Sequence, residues 1–123
     1  MTAATTYDDQ NIFARILRGE IPCDKVYEDD HVLAFRDIAP KAPVHVLVIP
    51  KGAYTDIVDF GARGSAQEVA AFYAAVSKIA KAEGLTENGF RTIANTGDHG
   101  GQEVPHFHVH LLGGEKLGVM IES

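Results

Sequence analysis

Apolar positions along the chain switch between two periods, and the switches mark out the elements. Ile12, Phe13, Ile16 and Leu17 recur at helical spacing, Gly19 is placed to end that short helix, and Pro22 follows. Lys25–Glu28 and Val32–Phe35 read as two strands across the acidic turn Asp29-Asp30, and Val44–Ile49 as a stronger strand closed by Pro50 and Gly52. The segment Ala39-Pro40-Lys41-Ala42-Pro43 is a rigid connector, because two prolines cannot both sit inside one ladder. Ser65-x-x-Glu68 is a capping box, followed by Val69, Phe72, Tyr73, Val76, Ile79 and Ala80 at helical intervals, so a long helix should run to about Gly84. Asn88-Gly89 turns into a strand over Phe90–Ala94. A glycine-rich loop over 95–103 then leads into a last strand, Val104 to Leu112, ended by Gly113-Gly114. The pattern predicts an α+β domain: an antiparallel sheet with one long and one short helix packed on it.

Residues 1–10 read as a flexible polar arm, 11–118 as one domain and 119–123 as a short tail, within a total of 123 residues that suits a single domain. A hydrophobic content of 46% with 23% charged residues is ordinary for a globular chain. The net charge of −6 argues against nucleic-acid polymers and anionic membranes as main partners, although an acidic protein can still bind one mononucleotide through local donors. One cysteine, Cys23, permits no internal disulfide, and the polar, acidic start of the sequence has no signal-peptide character. A cytoplasmic location is the expectation.

The chemistry concentrates in His106-Phe107-His108-Val109-His110, which holds three of the six histidines. Side chains alternate along a strand, so the three imidazoles are expected on one face, with Phe107, Val109 and Leu111 on the other. A solvated polar face would explain one such histidine and explains three in register poorly. A metal site is the sharper rival, since imidazole is a common ligand. Yet no carboxylate lies within the strand, Glu115 is misplaced for a strand-borne metal site, and no Cys-x-x-Cys pair exists. No metal and no cofactor are expected. Without a metal, histidine can serve as nucleophile and as proton donor near neutral pH. Gly97, Gly100 and Gly101 just upstream let backbone N–H groups approach an anion. Together these features point to phosphate chemistry, without saying which histidine reacts.

His106-Phe-His-Val-His-Leu-Leu112 resembles the signature of the histidine triad (HIT) family, and the likeness extends through Gly19-Glu-Ile-Pro22, Val26-Tyr-Glu-Asp29, Asp37-Ile38-Ala-Pro40 and His45–Lys51. Gly100-Gly-Gln102 and Leu112-Gly-Gly114 match as well, so about residues 11–118 look like the nucleotide-binding (HINT) branch in its bacterial form. The resemblance implies a HIT-like fold in a sheet-extended homodimer, with the helix at 66–83 near the interface. It implies a purine nucleoside phosphoramidase that cleaves the P–N bond of adenosine 5′-phosphoramidates, and acyl-adenylates, to AMP. His108 would be the transiently nucleotidylated nucleophile, His110 would contact the phosphate, and His106 and His45 would support orientation and proton relay. Asn95, Gly101, Gln102 and Glu103 match phosphate-loop positions, Asp37 would bind the ribose hydroxyls, and Phe13, Ile16, Phe35 and Ile38 would enclose the base. Alternatives carried by the same residues are a dinucleoside polyphosphate hydrolase and a nucleotide-binding interaction protein with little turnover. The chain departs from the family at Glu103, where many members carry serine or threonine. Its tail lacks the aromatic residue that lines the leaving-group pocket in animal members, and Asn11 and Ala14 stand where some bacterial relatives bind zinc through cysteines.

Overall fold

The structure, a computed structural model, describes residues 6–121. Its elements run α1 (Ile12–Leu17), β1 (Lys25–Glu28), β2 (Val32–Arg36), β3 (Val44–Pro50), α2 (Ile57–Arg63), α3 (Ala66–Ala82), β4 (Arg91–Ile93) and β5 (Val109–Gly113). The five strands form one sheet in the order β1-β2-β3-β5-β4, and every neighbouring pair is antiparallel.

Alternation along the central strands builds two apolar layers. Val32, Ala34, Val46 and Val48 face α3 and pack with Phe72, Ala75, Ile79, Phe107, Val109 and Leu111. Leu33, Phe35, Leu47 and Ile49 face the other way and pack with Phe13 of α1. Covering both faces is why β2 and β3 read as nearly unbroken apolar runs. The helix ends are those their sequences specify. Ser65 and Glu68 form the reciprocal capping box of α3. At the end of α1 the Gly19 and Glu20 N–H groups donate to the Ile16 and Arg15 carbonyls, with Gly19 in the left-handed region at φ 78°.

Two expectations need correction. The sheet carries three helices rather than two, because α2 follows an N-cap at Asp56 whose side chain accepts the Asp59 N–H. Only Phe60 of that helix is buried, so it shows no apolar stripe to read. The last strand begins at Val109, not Val104. The ladder with β3 ends at the Val48–Val109 pair, and beyond it neither Pro50 nor Pro105 has an N–H to donate. The Phe107 N–H instead donates to the Tyr54 carbonyl at 2.7 Å, and the His106 N–H to the Val104 carbonyl at 2.9 Å. His106 and His108 therefore precede the strand, and only His110 lies in it. Among the described residues, no helix is long and apolar enough to cross a membrane.

Candidate active site

A cavity of about 680 Å³ opens on the α1 side of the sheet. Its lining combines apolar side chains, among them Phe13, Ile16, Ile21, Pro22, Cys23 and Phe35, with the polar residues Asp37, His45, His108, His110, Asn95 and Glu103 and with Gly101. Phe107, Val109 and Leu111 belong to the opposite layer, so the expected alternation of faces survives the late start of the strand. The three histidines keep to the cavity side, where the His108 ring stands 5.0 Å from Phe13 and 5.1 Å from His110. They do not share one depth. His106 is fully buried behind the wall, while His108 and His110 line the cavity.

Hydrogen-bond partners determine which nitrogen of each ring carries the proton. The His108 Nδ1 lies 2.7 Å from the His106 carbonyl oxygen, which can only accept, so Nδ1 holds the proton and Nε2 keeps its lone pair. The Lys41 N–H donates to His45 Nδ1 at 3.1 Å, which places the His45 proton on Nε2. That N–H donates to His110 Nδ1 at 2.9 Å, leaving Nε2–H as the remaining donor of His110. His106 Nε2–H donates to the Pro50 carbonyl at 2.8 Å. Burial is the largest influence on all four rings and favours the neutral form. It pushes His106 and His110 down to about 4 and lowers His108 and His45. The carboxylates of Asp37 and Glu103 oppose burial at His108. A neutral imidazole with a bare Nε2 and two carboxylates nearby can attack an electrophile and tolerate the positive charge that results.

The other expected site residues fall into distinct places. Asp37, just past β2, accepts the Ala39 N–H at 2.8 Å through Oδ1, and its Oδ2 lies 3.5 Å from His45 Nε2. Phe13 and Phe35 are buried and meet edge to face at 5.4 Å, whereas Ile38 on the rim is 99% exposed. Gln102 does not line the cavity. Its amide donates to the Thr55 and Val104 carbonyls at 2.7 and 3.0 Å and accepts the Gly97 N–H at 3.1 Å, fastening the loop. The ligating atoms of Asp37, His45 and His110 lie within 4.8 Å of one another. His45 Nε2 and His110 Nδ1 are joined to each other by a hydrogen bond.

Sequence reasoning missed Tyr7 and Asn11. The Tyr7 hydroxyl lies 2.6 Å from His106 Nδ1, and the buried Asn11 amide reaches Tyr7 at 3.0 Å. Tyr7 falls in the segment read as a loose arm, and no periodicity links it to a residue ninety-nine positions away. The N-cap role of Asn11 was legible in principle, since asparagine before an apolar stripe is a helix-start signal.

The HIT domain model matches residues 18–117. The chain is 55% identical to an uncharacterised HIT-like protein of Azospirillum brasilense, over 96% of this chain and 97% of that one. It is 49% identical to the purine nucleoside phosphoramidase of Escherichia coli, over 92% of this chain and 94% of that one. A histidine triad protein from Clostridium difficile superposes with a TM-score of 0.79 at 47% identity, over 89% of this chain and 95% of that one. With a family match across most of its length, the triad spacing intact and the same fold, the chain belongs to the HIT domain family.

Proposed function

We propose that the protein is a hydrolase of nucleoside 5′-phosphoramidates, purine ones foremost, that releases the nucleoside monophosphate through a nucleotidyl-histidine intermediate. The observation that carries this reading is the state of His108: Nδ1–H is held by the His106 carbonyl, which leaves the lone pair on Nε2, in a residue that lines the cavity. In the first step the Nε2 lone pair forms a bond to the α-phosphorus as the P–N bond breaks, and its electron pair leaves with the amine. His110 contacts the phosphate and gives its Nε2 proton to the departing nitrogen, a role supported by its hydrogen bond to His45, which supplies the proton relay behind it. The modified His108 ring keeps its Nδ1 proton and so bears positive charge, which the Asp37 and Glu103 carboxylates offset. Water then attacks phosphorus and gives its proton to the vacated His110 Nε2, the P–N bond to His108 breaks with its electron pair returning to Nε2 of His108, and both imidazoles are restored.

Support for the substrate class comes from the cavity and from the relative. A cavity lined by Phe13, Ile16 and Phe35 together with the Asp37 carboxylate and Gly101 offers apolar surface for a base, an acceptor for ribose hydroxyls and backbone donors for a phosphate. The Escherichia coli protein is a purine nucleoside phosphoramidase. Acyl-adenylates offer the same α-phosphorus with a carboxylate leaving group and are included in the proposal, as are a cytoplasmic location and the sheet-extended homodimer. Incubation with adenosine 5′-phosphoramidate, followed by chromatography of the nucleotide, is the test. Wild-type protein should release AMP, and His108→Ala should be slower by about four orders of magnitude. Acid-labile nucleotidyl adduct on His108 should appear by mass spectrometry of quenched wild type. AMP release at equal rates by both proteins would sink the reading, and cleavage of a diadenosine polyphosphate in preference to the phosphoramidate would replace it.

A further inference from the structure

Half-buried Tyr7 and buried Asn11 form a polar chain with buried His106 that the proposed chemistry leaves unused. The direction of each hydrogen bond is fixed by which atoms can donate. Asn11 is the N-cap of α1, and its Oδ1 accepts the Ala14 N–H at 2.9 Å. The remaining atom, Nδ2, can only donate, and it lies 2.7 Å from the Asp8 carbonyl and 3.0 Å from the Tyr7 oxygen. Tyr7 is thus an acceptor toward Asn11. Its single proton goes to His106 Nδ1, 2.6 Å away. Nε2–H of the same ring donates to Pro50, so both ring nitrogens are engaged and the proton position is fixed from two sides. The ring also packs edge-on against the tyrosine, with centroids 5.6 Å apart.

The backbone of His106 connects this clamp to the site. Its N–H is held by Val104, and its carbonyl accepts Nδ1–H of His108. Ring, amide and carbonyl of one residue thereby join the N-terminal segment to the reactive imidazole. We propose that Tyr7 is a positioning residue for His108, acting through His106: its hydroxyl holds the His106 ring, and the carbonyl of that residue holds His108 with Nδ1 protonated and Nε2 bare. Without the hydroxyl, a lone pair in a site closed to solvent has no donor. The ring must then turn or take up a second proton, and either change displaces the carbonyl on which the His108 tautomer depends. This inference rests on the reading of His108 as the nucleophile.

The test uses two variants that reach the same proton from opposite ends. Tyr7→Phe removes the hydroxyl and keeps the ring. Asn11→Asp keeps the tyrosine and a good N-cap but puts an acceptor where Nδ2 stood, which draws the Tyr7 proton away from His106. Both should lower kcat for adenosine 5′-phosphoramidate about tenfold with KM within about twofold, as expected of a misaligned nucleophile rather than lost binding. Imidazole nitrogen spectra of the ligand-free protein should show His108 wholly as the Nδ1–H tautomer in wild type and as a mixture in both variants. Unchanged kcat in Tyr7→Phe overturns the proposal. So does a kcat loss that tracks a lower melting temperature while His108 keeps its tautomer, since that marks a structural anchor only. Wild type that releases no AMP would defeat the phosphoramidase reading, and the spectra alone would then decide whether Tyr7 governs His108.

Discussion

His108 and His110 differ in one respect that decides their chemistry: which nitrogen is tied to an obligatory partner. A carbonyl holds Nδ1–H of His108, whereas a donor, His45 Nε2–H, faces Nδ1 of His110. The first arrangement leaves a lone pair on Nε2, as the proposed nucleophile needs, and the second leaves an N–H there, as the proposed donor needs. Sequence spacing placed both on one side but could not separate them, because tautomers depend on backbone groups brought in from distant elements. The same neutral state sets a pH expectation. Burial lowers the His108 imidazole below its ordinary 6.5, so Nε2 stays available through neutral pH and is lost only in acid. If His108 is the nucleophile, the acid limb of kcat/KM should therefore fall below pH 6.5, and a limb at or above that value would contradict the proposed role of this buried, neutral ring. Asp37 supports a second expectation. If its carboxylate holds the ribose hydroxyls, Asp37→Ala should raise KM for a ribonucleoside phosphoramidate about tenfold and narrow the gap to its 2′-deoxy analogue. An equal loss for both sugars would assign Asp37 to the histidines instead.

Element boundaries show where reading a sequence works and where it stops. The capping box of α3 and the glycine stop of α1 are local instructions, and both appear in the structure as written. The start of β5 is not local: it depends on Pro50 in a partner strand and on Tyr54, which captures the Phe107 amide. Helix α2 escaped notice because a single buried side chain, Phe60, gives no period. The glycine loop was legible as flexible backbone but not as a fastened structure. Gln102, expected on the phosphate, is occupied in tying the loop to Thr55 and Gly97. Gly100 is needed here for space, since a Cβ would lie 2.4 Å from the Thr96 carbonyl oxygen and 2.8 Å from its nitrogen. Backbone cannot yield as a side-chain end can, so Gly100→Ala should reshape the loop beside His108. We expect kcat/KM to drop about tenfold while global stability changes by less than about 1 kcal/mol, because the loop is exposed and off the core. Activity at the wild-type level would show that the loop geometry is incidental.

At the scale of the molecule, the same burial that prepares the site should make the fold acid-sensitive. His106 and His110 titrate near 4 in the folded chain against an ordinary 6.5, and His45 and His108 are shifted the same way. Below 6.5 the unfolded chain takes up protons that the folded chain refuses, so stability is full above that pH and is lost as pH falls toward 4. The ion-paired carboxylate of Glu28 titrates lower still, at about 2, so the upper part of this window reports on histidines. Urea midpoints should fall steadily from pH 7 to 5, and a flat profile would mean the rings are not held neutral. The proposed homodimer also belongs to this scale. Among the described residues, strand β4 pairs only with β5, which leaves its other edge open; Tyr73 and Ile57, both exposed, lie with Thr92 of that strand around one cleft, and exposed Phe90 directly precedes it. An open edge next to apolar side chains is a liability in an isolated domain. Antiparallel pairing of β4 with its copy about a two-fold axis would close the edge, extend the sheet and bring the two α3 helices together. Tyr73, 57% exposed on α3, would be covered by that contact. Replacing it by glutamate would bury a charge there and should weaken association by about two orders of magnitude. Light scattering on the eluting protein should give twice the chain mass for wild type and the single-chain mass for Tyr73→Glu at micromolar concentration. A monomeric wild type would leave the β4 edge open and rule the dimer out.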